Sequence, residues 1–176
     1  MNDAHMIPLG YMLKKVVSPA PEWMNAPAVI AVHSLSKCIS DDFGDYIQLW
    51  KHNGWWLFDS DKTVAETALK LGIEPRSLTL FYYEAFDKQY DDDRRQWEAF
   101  KPDEFATQVK KPASAKLSGF DVVTFWAGNS PECSPLSCCG LASDLPVNEK
   151  CLFDTFNEAV DALERGDFRD SEPGPY

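Results

Sequence analysis

The chain has 176 residues, 44% of them hydrophobic and 13% aromatic, with a formal net charge of −11. That length suits one α+β domain with a sizeable core, residues 1–176, ending in an acidic, proline-containing tail over 168–176. No apolar run approaches the ~18 residues that span a bilayer, and so acidic a surface repels phosphate backbones, so neither a membrane nor a nucleic acid is the expected partner.

Five cysteines, Cys38, Cys133, Cys138, Cys139 and Cys151, are an odd number. The N-terminal residues do not follow the charge and apolar pattern of a secretory leader. Both features favour a reducing, cytoplasmic setting with free thiols over a disulfide framework.

In chain order, residues 9–17 read as a strand, and 18–27, with three prolines, as a connection whose Trp23 and Met24 pack onto the core. Residues 28–35 form a strand by their valine and isoleucine content. A helix is expected over 42–53, with Phe43, Ile47 and Trp50 on one face and Asn53-Gly54 as its stop. Residues 55–59 make a short apolar strand. A second helix follows over 61–71, with Ser60 as N-cap and Gly72 as its end. Residues 78–86 are a strand rich in Leu, Phe and Tyr. Residues 95–100 are expected to pair with it across a polar tip at 87–94. Residues 101–119 read as a polar surface excursion, and 120–126 as a central strand by their apolar run. The last helix is expected over 156–165, where Thr155 and Glu158 have capping-box spacing and Gly166 ends the run. Strands and helices that do not alternate strictly point to an α+β fold. It should have a mixed or mainly antiparallel sheet with about three helices packed on it.

The loop between Cys133 and Cys151 is long for a connection in a compact domain, and such loops often carry function. A thiol nucleophile at Cys133 or Cys138 would need a base, and His33 is the candidate imidazole. His52, in the last helical turn before Gly54, is explained by the helix dipole. Zinc is the one cofactor considered, with Cys133, Cys138 and Cys151 as candidate ligands; the spacing supplies one close pair and lacks a second. The aspartates at 41, 42 and 45 suit a helix N-terminus, and those at 91–93 lack the alternation of a calcium loop.

Trp55, Trp56, Tyr82, Tyr83 and Trp97 are the candidate partner-binding residues. Neighbouring residues of a strand point to opposite faces, so these rings need either a sheet covered on both sides or an exposed aromatic face. The sequence contains no Walker loop, dinucleotide fingerprint, HExxH or GxSxG motif. The expected function is therefore binding: an acidic, aromatic-bearing surface for a basic protein, in the manner of inhibitor or immunity proteins. The alternative is a small enzyme or ligand-binding protein using the Cys133–Cys151 loop as a thiol or metal site.

Overall fold

The computed structural model describes residues 5–22, 24, 26–30, 57–74, 76, 78–100, 108–124, 134–138, 140–171 and 174–176. The helix expected over 42–53 lies outside them, as do His33, Trp55, Trp56 and Cys133. The described residues form a mixed α+β structure with three helices and several short antiparallel sheets. The chain divides into two compact units, one of Met1–Lys15, His33–Lys88 and Ala99–Ala115, the other of Val16–Val32, Gln89–Glu98 and Lys116–Tyr176.

In the first unit, β1 (Met6–Lys14) pairs antiparallel with β4 (Thr79–Phe86), from Met6 opposite Phe86 to Lys14 opposite Thr79. The register shifts between Pro8 and Gly10. Pro8 has no N–H to give the ladder, and Gly10 takes a φ of +140°, so an irregularity falls naturally there. On its other edge, β1 exchanges two backbone bonds with Phe58, at 2.8 and 2.9 Å from Tyr11. A strand paired on both edges is central, and Leu9 through Lys14 are accordingly buried on both faces.

Helix α1 (Asp61–Lys70) packs Val64, Thr67 and Ala68 inward. Its N-cap is Ser60, whose hydroxyl accepts the N–H of Thr63 at 3.2 Å. Just past its end, Gly72 turns left-handed at φ +68°. These are the expected limits to within a residue.

The second unit has less regular structure. Its two-residue strands β2 (Val16–Val17) and β3 (Val29–Ile30) pair antiparallel. The hairpin of β5 (Lys88–Asp91) and β6 (Gln96–Ala99) lies here except for Lys88 and Ala99. This changes the expected pairing, because residues 96–99 fold back on 88–91 and leave 79–86 to β1. The physical cause is a tight local turn. Asp91 accepts the N–H of Arg94 on its side chain at 2.8 Å, and Arg95 adopts a left-handed φ of +54°. The short turn commits 96–99 to 88–91, and β4 is left to the distant β1.

Phe120, expected to open a central strand, makes an isolated bridge to Phe153, with both bonds at 2.9 Å. Helices α2 (Pro135–Cys138) and α3 (Phe156–Arg165) and a 3₁₀ turn at Leu141–Ser143 complete the unit. The capping box of α3 is formed in both directions between Thr155 and Glu158. The core joins Met24, Val122, Leu136, Phe153, Leu163 and Phe168 from separate segments. Asn148 ties the loop around it: Oδ1 accepts the N–H groups of Lys150 and Leu152 at 2.9 and 3.3 Å. Its Nδ2 donates to the Ser118 carbonyl at 3.0 Å and to Asp154 at 3.2 Å. That uses all four hydrogen-bonding positions of the amide.

Candidate interaction surface

Charge is divided unequally between the units. The first holds 12 Asp and Glu against 11 Lys and Arg, a net −1; the second holds 16 against 6, a net −10. Together they give the −11 of the chain, so the acidity of the whole protein is a property of its second unit.

Helix α3 and the β5–β6 hairpin show how that charge is displayed. The helix buries Ala159, Ala162 and Leu163, so Asp161 and Glu164 fall on the exposed face. Glu164 also ties the hairpin down. Its carboxylate accepts Trp97 Nε1–H at 2.8 Å and its carbonyl accepts from Arg95 at 3.3 Å. The Trp97 ring packs at 5.1 Å, tilted, on Tyr90. Trp97 is half-buried, with its indole N–H already satisfied. The guanidinium groups nearby are engaged within the unit: Arg94 with Glu98 at 2.9 Å and Asp91 at 3.6 Å, Arg169 with Asp92 at 3.6 Å, and Arg165 with Asp167 at 2.6 Å. The exposed carboxylates of Asp93, Asp154, Asp161 and Asp170 add to the same surplus. Glu164 and Tyr90 were not among the residues expected from sequence. Glu164 meets Trp97 across 67 positions of chain, so no local spacing announces the pair.

Tyr82 and Tyr83 belong to the first unit and lie on opposite faces of β4, as strand alternation requires. Tyr82 packs 5.0 Å from Tyr11 and donates its hydroxyl to Glu84 at 3.2 Å. Lys111 reaches the same carboxylate at 2.6 Å, and the Tyr11 hydroxyl donates to the carbonyl of Lys110. Burial, and then the Glu84 carboxylate, push the Tyr82 hydroxyl well above the ordinary tyrosine range, so it stays neutral. On the other face, Tyr83 packs with Phe81 at 6.3 Å and lies 4.8 Å below the ammonium of Lys14, which is buried. The two tyrosines thus do not share one patch.

In the cysteine loop, Cys138 closes α2 and Cys151 lies in the core of the unit. Cys151 is 1% exposed, with a left-handed φ of +62°. Its thiol donates toward Met24 Sδ at 3.2 Å and the Ala28 carbonyl at 3.4 Å. Burial, and then Asp121, push its pKa up. A thiol held protonated in apolar surroundings behaves as a small hydrophobe. Ser134, a buried residue that sequence spacing did not single out, donates its hydroxyl to Asp121 at 2.8 Å. Among the described residues no group of three or more His, Cys, Asp or Glu stands together in a way that could hold a metal ion. Among them, too, no helix is long and apolar enough to cross a membrane.

Comparison with protein-family models, with curated proteins and with solved structures returned no match.

Proposed function

We propose that this chain is a non-catalytic binding protein that engages a basic protein partner through the acidic surface of its second unit. The observation that supports this reading is the charge division, net −10 against net −1. A concentrated single-sign field speeds encounter with a partner of opposite charge and repels nucleic acids. Trp97 beside Glu164 supplies an aromatic contact within that field. Inhibitor and immunity proteins neutralise cationic partners in this way, and the free thiol of Cys151 suits a reducing, cytoplasmic setting.

The test compares the native chain with the double reversal Asp93→Lys/Asp161→Lys, and with Glu66→Lys on the first unit as control. Retention of a partner from host lysate should fall at high salt and with the double reversal, and survive the control. Binding that ignores both salt and the double reversal would overturn the reading.

The second reading is a small enzyme or ligand-binding protein using the Cys133–Cys151 loop with thiol or zinc chemistry; the polar contact there is the hydrogen bond from buried Ser134, just before α2, to the exposed Asp121. Two results together would remove it: zinc content well below stoichiometric, and no thiol alkylated faster than a free cysteine at mildly acid pH.

A further inference from the structure

Tyr176 is held in a way that neither reading uses. Tyr90 of β5 donates its N–H to the Tyr176 carbonyl at 2.9 Å and accepts the Tyr176 N–H at 3.1 Å. This is the reciprocal pair of an antiparallel ladder. A strand has two edges, and β6 takes one edge of β5, so Tyr176 meets the other at Tyr90. Its ring packs 5.7 Å from that of Phe168, which is buried, and its hydroxyl donates to the Phe168 carbonyl at 2.9 Å. One residue is thereby recognised through backbone, ring and hydroxyl, which is how strand-addition sites read an extended peptide.

We propose that the outer edge of β5, with the Phe168 wall, is a strand-addition site for an extended, aromatic-bearing segment of a basic protein, occupied in cis by Tyr176. The edge and its wall are carried by the geometry alone; the basic character of the incoming segment rests on the function proposed above. The cis segment carries the exposed Asp170, and it belongs to a unit already at net −10. Like charge weakens that seat relative to a basic segment with the same aromatic residue, while tethering strengthens it through high effective concentration. The balance makes Tyr176 a competitor that a matched partner displaces.

The experiment titrates three labelled peptides into the full chain, Tyr176→Ala and Tyr176→Phe. The first peptide is lysine-rich with one tyrosine, the second has alanine in place of that tyrosine, and the third has the chain's own sequence from Ser171 to Tyr176. Tyr176→Ala should bind the lysine–tyrosine peptide roughly tenfold or more tightly than the full chain, because the competitor loses its ring and hydroxyl and keeps only its backbone pair. The alanine peptide should lose that gain. Tyr176→Phe keeps the ring and backbone and loses one hydrogen bond, so a smaller gain, of about a few fold, is expected even if Tyr176→Ala folds poorly. Equal affinity of all three proteins for the lysine–tyrosine peptide would overturn the proposal. If Tyr176→Ala takes up the chain's own acidic peptide but not the basic one, the edge site stands and the basic-partner reading falls. If both basic peptides bind every protein alike, the basic-partner reading stands and the edge site falls.

Discussion

The two units solve the problem of order in different ways. The first is nearly charge-balanced and holds its core with a central strand, β1, paired to β4 on one edge and to Phe58 on the other. The second carries almost all the net charge and, among its described residues, has two-residue strands, one hairpin, an isolated Phe120–Phe153 bridge, the short α2, a 3₁₀ turn and helix α3. Where ladders are short, side-chain hydrogen bonds take over their role of satisfying loop backbone, and Asn148 is the clearest instance. Among the described residues, ladder length and surface charge run in opposite directions between the two units. The acidic surface is displayed by the unit with fewer ladder bonds and more specific side-chain ties.

Several substitutions would sharpen or break this contrast. The largest effects fall on the fully buried rings. Phe58→Ala in the first unit and Phe153→Ala in the second, both 0% exposed, should each cost about 4 kcal/mol in urea unfolding. If the chain unfolds as one domain, both variants move a single transition seen identically by every probe; two transitions would break that expectation.

Next come the glycines. A Cβ at Gly119, at φ +142°, would lie 2.6 Å from the Leu152 Cβ and 2.8 Å from the Phe153 carbonyl oxygen. Both neighbours are rigid, so Gly119→Ala should cost about 3 kcal/mol and loosen the Phe120–Phe153 bridge, read by hydrogen exchange. Gly72, at φ +68°, has nothing within 4 Å of such a Cβ. Gly72→Ala should therefore cost only about 1 kcal/mol, the left-handed penalty alone.

Caps follow. Thr155→Ala removes the acceptor for the Glu158 N–H and disrupts a two-way box. Its expected cost is about 1.5 kcal/mol, against about 1 kcal/mol for Ser60→Ala, both measured by thermal unfolding.

The smallest effects are alkaline. The pKa of Cys151 in the second unit and those of Tyr82 and Tyr11 in the first are raised by folding, in each case chiefly by burial. A group whose folded pKa is raised lends stability that is complete below its unfolded value and is lost as pH rises towards its folded value. Cys151 should begin to erode stability above about pH 9, and the tyrosines above about pH 10. Cys151→Ala should flatten the earlier decline and Tyr82→Phe the later one, in stability measured against pH.

Helices α1 and α3 were legible because their signals are local. Ser60 to Thr63 and Thr155 to Glu158 are contacts three residues apart, which a sequence displays directly. The candidate surface was only partly legible. Trp97 and the acidity could be read, whereas Glu164 and Tyr176 gained their roles from partners 67 and 86 positions away. Tyr82 and Tyr83 lie on opposite faces of β4, as the alternation of strand residues implies from sequence.

By itself, then, the sequence determined the α+β class, the two ten-residue helices with their caps, and the acidic balance, because each depends on composition or on neighbours within a turn. The tertiary structure decided that β4 pairs with β1 and not with residues 96–99, that nearly all the net charge falls in one unit, and that Tyr176 meets the edge of β5 at Tyr90. Those outcomes depend on which distant segments meet, and the energy of a distant pairing is set by the surfaces it buries together, which no single stretch of the chain contains.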